Sequence, residues 1–270
     1  MTRLARLAEL YRALLRIAFL GQIQYRASGI IWMIGSILEP LVFLVVWSTV
    51  AEAQGGSVQG FGPREFAAYY IVMLVVNHLT FSWIMHTFQY RIQYGHLAFE
   101  LLRPVHPIHN DLCDNLSYKL LMMIVVAPAV LLLIIGFEPR FEVVPWSLVA
   151  FLPALVLAFA VRFLVEWTLA LTAFWTTRVL AMNQIYFAVL MFLSGRIAPL
   201  ALLPDWLRSV AEVLPFYVMV AFPVELFLGR LSPEQAIRGL GLQVVWLGVA
   251  GLLIASAWRV AVRRFTAVGT

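Results

Sequence analysis

Two charged residues lie four positions apart inside an otherwise apolar stretch of the chain. Arg162 and Glu166 fall within residues 147–175, which have the composition of a membrane span. Residues four apart share one face of a helix, so the two side chains can form an ion pair. A lone charge at that depth costs several kcal/mol, which makes pairing the expected arrangement. Two interpretations stay open: a purely structural pair, or a pair that serves a substrate path or a gate.

A third charged residue, Glu39, precedes Pro40 inside the apolar stretch 27–51. A buried carboxylate is costly, and proline removes a backbone donor from a helix. The dipeptide therefore indicates either a kink with a neutralised acid, which we favour, or part of a polar path. Glu39, Arg162 and Glu166 are the candidate residues for translocation or gating.

The histidines and the single cysteine do not form a recognisable metal site in the sequence. His78 and His86 are eight residues apart, and His106 and His109 form an H-x-x-H, but neither pair has a further ligand at a suitable spacing. One cysteine, Cys113, excludes an intramolecular disulfide and a cysteine-based zinc site. We expect no metal and no catalytic residue on this chain.

The composition is that of an integral membrane protein. Hydrophobic residues make up 63% of the 270 residues and charged residues only 12%, too few to cover a soluble globule. A span needs about 20 apolar residues, so the chain has room for about six spans and no separate soluble domain. The net charge of +5 is expected to report membrane topology rather than binding to nucleic acid.

The predicted fold is an all-α, single transmembrane domain with six transmembrane helices. Arginines and leucines at helical spacing predict an N-terminal interfacial amphipathic helix within residues 1–26, lying against the lipid headgroups. Short apolar helices broken by prolines predict an outer re-entrant hairpin at residues 201–230, before the last span. The spans are predicted at 27–51, 65–88, 116–137, 147–175, 179 to about 200, and 236–260.

Topology follows from counting the spans. Six spans place both termini, residues 89–114 and Arg178 on one side, where arginines are concentrated. Positively charged segments of membrane proteins stay preferentially in the cytoplasm. We therefore expect both termini and residues 89–114 to be cytoplasmic. A stretch that carries large apolar side chains outside the membrane, as residues 95–111 do, is typical of a surface that meets a partner.

The order of these segments, together with two local motifs, resembles the membrane subunit of ABC-2 type ABC exporters. The first motif is a glycine, an apolar pair and then Leu-Leu-Arg-Pro, which stand here as Gly95, Leu97, Leu101, Leu102, Arg103 and Pro104. The second is Leu203-Pro204-Asp205-Trp206-Leu207 followed by Leu214-Pro215-Phe216, which is similar to the outer re-entrant segment of that superfamily. The resemblance covers essentially the whole chain.

The resemblance implies a permease that moves a hydrophobic or amphipathic substrate out of the cytoplasm across the cell (inner) membrane. ATP hydrolysis is then expected on a separate ABC ATPase that binds ATP and Mg, because this chain contains no GxxxxGK[ST] loop. We expect no cofactor on this chain itself. A second permease is also implied, and we favour a paralogue over an identical copy. The residues implied to contact the ATPase are Tyr94, Gly95, Leu97, Phe99, Glu100, Leu101, Leu102, Arg103 and Pro104, with Glu100 and Arg103 exposed and the large apolar residues as anchors.

Three other functions compete with this interpretation. A membrane-embedded lipid enzyme would need clustered polar residues such as D-x-x-D or H-E-x-x-H, and the sequence has neither pattern. An ion-coupled transporter would usually show acids or broken helices near mid-depth, and Glu39 with Arg162 and Glu166 keeps that possibility open. A membrane scaffold that only binds partners is the remaining alternative.

Overall fold

A computed structural model describes residues 3–176 and 179–265 of the chain. Within these ranges its regular secondary structure is helical, with one isolated bridge between Val58 and Phe61 and no strand. The predicted all-α class is confirmed. The helices are α1 Arg3–Gln24, α2 Arg26–Ala53, α3 Pro63–Thr80, α4 Ile84–Gln93, α5 His96–Leu101, α6 Pro107–Phe137, α7 Pro145–Ala170, α8 Val179–Leu193, α9 Asp205–Val213, α10 Phe222–Phe227 and α11 Pro233–Arg264.

Five helical stretches of the described chain are long and apolar enough to cross a membrane. They contain 28 to 32 residues each, more than the roughly 20 that a span requires. Their outward faces are rich in exposed aliphatic side chains such as Leu132, Ile135 and Leu252. The chain is a multi-pass membrane protein. The five stretches are α2 (Arg26–Ala53), α3 with α4 (Pro63–Gln93), α6 (Pro107–Phe137), α7 with its last turn (Pro145–Phe174) and α11 (Pro233–Arg264).

Local sequence sets where several of these helices begin. Proline stands in the first turn of α3, α6, α7 and α11, where its missing N–H has no helical partner to lose. Ser232 and Gln235 form a capping box at the start of α11. His106 Nδ1 accepts a hydrogen bond from the Ile108 N–H at the start of α6.

The most buried helix is α3, which packs against α2, α6, α7 and α10. Its first turns hold the end of α8 in place through two tyrosines. Tyr69 Oη donates to the Gly195 carbonyl at 2.9 Å, and Tyr70 Oη donates to the Ile197 carbonyl at 2.7 Å. The end of α8 therefore lies beside the start of α3. We call this end of the bundle the α9 end, because α9 follows there, and the opposite one the α5 end.

Residues 201–230 form the broken segment predicted from the prolines. Here α9 and the helical stretch Tyr217–Phe227 meet at an angle of 76°. Gln243 Nε2 of α11 donates to the Val218 carbonyl near the bend. The segment follows the end of α8 and leaves beside Phe61, where the Arg230 guanidinium lies 3.6 Å from the ring centroid. Entry and exit at the same end favour a re-entrant hairpin over a crossing, so the hairpin and the total of six spans stay predictions.

Two predicted segments are divided differently in the structure. The predicted second span is interrupted at residues 81–83, so it consists of α3 and α4. The predicted cytoplasmic stretch 89–114 comprises the end of α4, the short α5 and the first turns of α6. Arg178, expected at the α5 end, lies outside the described residues.

Candidate functional site

The α5 end carries the short helix that the sequence singles out. Gly95 adopts φ +71°, a left-handed conformation that favours glycine, and this lets the chain turn sharply from α4 into α5. Leu97 is fully buried. This burial is a correction to the set of expected partner contacts, because a side chain packed inside its own subunit has no surface left to offer. Its role is to anchor α5 to the bundle.

An arginine of α4 fastens α5 and α6 together. Arg91 Nε lies 3.3 Å from Glu100 Oε1, and Arg91 Nη2 lies 2.6 Å from Asp111 Oδ1. Trp167 Nε1 of α7 donates to the other oxygen of Asp111 at 2.9 Å. Glu100 therefore faces inward, and only 18% of its side chain is exposed, contrary to its expected position on the exposed side. Burial raises the pKa of the Glu100 carboxyl, and Arg91 opposes this only in part.

The remaining side chains at this turn point outward. Phe99 and Leu102 are 68% and 83% exposed, and Arg103 and Pro104 are exposed beside them. Tyr94 is also exposed, whereas Gly95 and Leu101 are partly buried. We define the α5 tip as Phe99, Leu102 and Arg103. It presents two large apolar groups and one cation on a helix that is fixed from behind by Leu97 and Arg91.

A recess of about 430 Å³ lies next to the α5 tip. Phe99 and Arg103 of the tip contribute to its wall, and the rest comes from α4 and α5. A partner could therefore contact both a projection and a concavity here. The recess is lined by Thr87, Tyr90, Arg91, His96, Phe99, Glu100 and Arg103.

The second group of candidate residues forms a buried polar cluster where α3 ends. Arg162 and Glu166 have no exposed surface, and Arg162 Nε donates to Glu166 Oε1 at 2.9 Å. The predicted ion pair is thus present. Arg162 Nη1 also donates to Asn77 Oδ1 at 2.9 Å and to Thr80 Oγ1 at 3.0 Å.

Glu166 binds two further groups. It accepts hydrogen bonds from Ser82 Oγ and, at 3.1 Å, from Tyr186 Oη. Lys119 Nζ donates to the carbonyl of Phe81, which the helix break leaves without a helical partner. We call Asn77, Thr80, Ser82, Arg162, Glu166 and Tyr186 the Arg162 cluster. It fastens the interruption between α3 and α4 to α7 and α8.

Glu39, the third candidate for a polar path, is paired. Both of its carboxylate oxygens lie 2.7 Å from Arg196 Nη2. The acid is thus neutralised by a residue 157 positions away, in the chain that follows α8. The structure does not bring Glu39 into contact with Arg162 or Glu166.

Each of the four histidines that the sequence singled out, of five in the chain, has a local hydrogen-bond or ring partner. His78 Nε2 contacts the Lys119 carbonyl at 3.0 Å, and His86 Nε2 contacts Asn183 Nδ2 at 2.8 Å. His109 Nδ1 contacts Tyr11 Oη of α1 at 2.7 Å. The ring of His106 lies against Trp258. Within the described ranges, no group of three His, Cys, Asp or Glu side chains has a geometry that could hold a metal ion.

Several residues of both sites could not be found from sequence. Arg91, Asn77, Ser82, Tyr186 and Arg196 carry no motif, and their partners lie between 9 and 157 positions away. Only the spacing of four between Arg162 and Glu166 gave a local signal.

The comparison with protein families decides the class of the protein. A family model described as ABC-2 family transporter protein matches residues 21–269. The chain belongs to the ABC-2 transporter family. It is therefore the permease component of an ABC transporter, and the competing interpretation as a lipid enzyme is set aside. A search of curated proteins finds no significant match.

Proposed function

We propose that this ABC-2 permease docks onto a separate ABC ATPase through the α5 tip and exports a hydrophobic or amphipathic substrate from the cytoplasm. The observation that carries the proposal is the exposure of Phe99 and Leu102 on a helix that is held rigidly by its own chain. Large apolar side chains displayed outside the lipid-facing surface are typical of a protein contact. The ATPase would supply the ATP and Mg chemistry.

Rigid attachment matters because a coupling contact must transmit displacement. The Arg91 guanidinium joins α5 to α6 through Glu100 and Asp111. Ion pairs with little exposure hold their geometry better than exposed ones, since screening by water and ions is weak there. A push on the α5 tip would therefore move α4 and the start of α6 together rather than bend a loop.

The distribution of charge supports an orientation with α5 in the cytoplasm of the cell (inner) membrane. Helix α1 contacts the start of α6 through Tyr11 and His109, so its arginines lie at the α5 end. The end of α11, with Arg263 and Arg264, reaches the same end through Trp258 and His106. Concentration of arginines on one side favours the cytoplasm. We propose the same location for both chain termini.

A second permease is expected beside this one. Faces of α2 and α8 remain apolar and exposed in the single chain, including Ile31 and Leu38 of α2 and Ile185 and Phe192 of α8. Lipid or a second permease could cover such faces, and the ABC-2 family supports the permease. We retain a paralogue as the favoured partner over an identical copy.

Introducing negative charge at the α5 tip tests the docking assignment. In Leu102→Asp and Arg103→Glu, we expect the ATPase to be lost from the detergent-extracted complex or its hydrolysis to be uncoupled from export. The matched control is Phe141→Asp, an exposed aromatic residue in the loop between α6 and α7 at the α9 end. Intact coupling in both tip variants would remove the α5 tip as the docking site.

The single cysteine makes the orientation easy to measure. With Cys113→Ser as background, cysteines introduced at Leu102 and at Phe141 provide one reporter at each end. An impermeant maleimide added to intact cells should label the Phe141 position and spare the Leu102 position until the cells are opened. The reverse pattern would place α5 outside the cell.

A further inference from the structure

A large cavity runs along α2, between this helix and α1, α3, α4 and α6. Its volume is about 1320 Å³, and we call it the α2 cavity. The α2 residues in its wall extend from Ser28 to Glu39, a distance of about 17 Å at 1.5 Å per residue. Tyr25 and Trp32 in the wall are 69% and 59% exposed, so the cavity opens to the surface beside α2.

Aromatic rings form the middle of this cavity. Trp83 of the wall lies between two other rings, with its centroid 5.1 Å from that of Trp32 and 5.1 Å from that of Phe81. Phe187 of α8 extends the wall at 5.9 Å from Phe81, and Tyr118 of α6 also lines it. Ring faces attract organic cations, especially where water is largely excluded.

One carboxylate of the wall, Asp114, interacts with Arg91 only at longer range. Glu39 is bound by Arg196, and Asp111 is bound by Arg91. For Asp114, by contrast, the described part of the chain offers neither a hydrogen bond nor an ion pair, although its side chain lines the cavity. Asp114 and Tyr118 are four residues apart, so they share one face of α6.

With its carboxyl groups ionised, the wall of the cavity carries one more acidic than basic side chain. The two arginines in the wall are offset by Glu39 and Asp111, and His78 and His86 make contacts within the bundle. Lys119 lies outside the wall, with Nζ directed at the Phe81 carbonyl and at Asn115 Oδ1. A carboxylate beside aromatic rings is the combination that recognises a bulky, partly hydrophobic cation.

We propose that the α2 cavity binds an amphipathic organic cation, with its charge beside Asp114 and its apolar body against Trp32, Trp83 and Phe81. The inference names a substrate class for the proposed exporter and so rests on the proposed function. The acid lies in the second turn of α6, near the α5 end, and the aromatic rings lie deeper along α2. A cation of this shape would enter from the α5 end or beside α2.

Two probes of equal size and opposite charge test the proposal. Tetraphenylphosphonium and tetraphenylborate share four phenyl rings and are opposite in charge. Equilibrium binding of each radiolabelled ion is measured with the purified full-length permease in lipid nanodiscs. Binding of each ion to protein-free nanodiscs of the same lipid is subtracted, because the interfacial dipole potential favours the anion in lipid, and the remaining difference then reports charge at the protein. We expect tighter binding of tetraphenylphosphonium. In Asp114→Asn, its affinity should fall about tenfold, and that of tetraphenylborate should not fall.

Steric variants test the location of the binding site. A Cβ built at Gly35, which lines the cavity, meets no atom within 4 Å, so Gly35→Leu can project into the cavity without a clash. It should weaken binding of both probes. Gly248→Leu is the matched control, because this glycine of α11 is equally open but lies outside the cavity wall. It should leave both affinities unchanged.

Three outcomes would overturn the proposal: equal affinities for the two probes, unchanged tetraphenylphosphonium binding in Asp114→Asn, or equal effects of the two leucine variants. If Asp114→Asn does not fold, Asp114→Glu keeps the charge and must keep the preference for the cation. Co-purification of the ATPase, followed in the same preparations, separates the two ideas. Absence of charge-selective binding with the ATPase still attached refutes only the cavity assignment, whereas selective binding with no ATPase at any step refutes only the docking assignment.

Discussion

Replacing the buried Arg162 and Glu166 one at a time should destabilise the protein more than replacing both. In Glu166→Leu, the Arg162 guanidinium keeps only the neutral acceptors on Asn77 and Thr80, with no surface through which water could reach it. Breaking one side of a buried ion pair costs about 3–5 kcal/mol. Arg162→Leu likewise leaves the buried Glu166 carboxylate without its cationic partner. Independent effects would thus sum to about 6–10 kcal/mol.

The double variant removes both charges and leaves three neutral groups without these partners. They are Asn77 Oδ1, Ser82 Oγ and Tyr186 Oη. Thr80 retains its hydrogen bond to the Val76 carbonyl. At about 1 kcal/mol each, the double variant should lose at most about 3 kcal/mol, because the hydroxyls can rotate towards other acceptors. The coupling energy between the two sites is then at least about 3 kcal/mol.

Denaturant titration of the purified permease in mild detergent, followed by near-ultraviolet circular dichroism, measures the four free energies of unfolding. Glu234 and Arg238 provide the control cycle, because they are also four residues apart but about three-quarters exposed. Their coupling should stay below about 1 kcal/mol. Additive losses at Arg162 and Glu166 would refute the reasoning. If the double variant folds but no longer transports, the pair serves the path or the gate, and if it transports, the pair is structural.

Three further predictions follow from close packing and burial. Gly239→Ala should cost about 1–3 kcal/mol, because its Cβ would lie 2.1 Å from the Phe222 ring, and Phe222→Leu should restore part of the loss in thermal unfolding. Gly195→Ala should lower the free energy of unfolding by about 1–3 kcal/mol, since Gly195 has φ +79° and its Cβ would lie 2.5 Å from Tyr69 Oη. The control Gly136→Ala lies in open space on α6 and should not lower it. Glu100 has a raised pKa, so the folded state binds its proton more tightly than the unfolded state. The contribution of Glu100 to stability should therefore be greatest below the ordinary carboxyl pKa and should fall as the pH rises through the raised value. The rate of proteolysis within α5, measured against pH, should show this dependence, and Glu100→Gln should abolish it.

The long spans were predictable because their apolar runs exceed what any soluble helix needs. The interruption of the second span was not, because residues 81–83 read Phe-Ser-Trp and contain neither proline nor glycine. Its stability comes from partners distant in sequence, since Lys119 binds the freed Phe81 carbonyl and Glu166 binds Ser82. Periodicity within one segment cannot report such contacts.

The α5 stretch illustrates the same limit at the level of single side chains. Its large apolar residues predicted a contact surface, and Phe99 and Leu102 are exposed as that requires. Leu97, which has the same chemistry, is fully buried. A helix of six residues is too short for periodicity to separate its two faces reliably, so burial depended on where α4 and α6 lie. Arg91 likewise became part of the site only when the fold brought Asp111 and Glu100 to it.

If α5 were displaced, the angle between α3 and α4 would change at the interruption between these two helices. Arg91 ties α4 to α5 and α6, so these elements would move as a unit. Helix α3, by contrast, is buried on most sides and is fixed to the end of α8 by Tyr69 and Tyr70. Since α3 and α4 lack continuous helical hydrogen bonds at residues 81–83, the change of angle costs least there. The Arg162 cluster binds this same point, so under the proposed docking its hydrogen bonds would determine how much of a movement at the α5 tip reaches the spans.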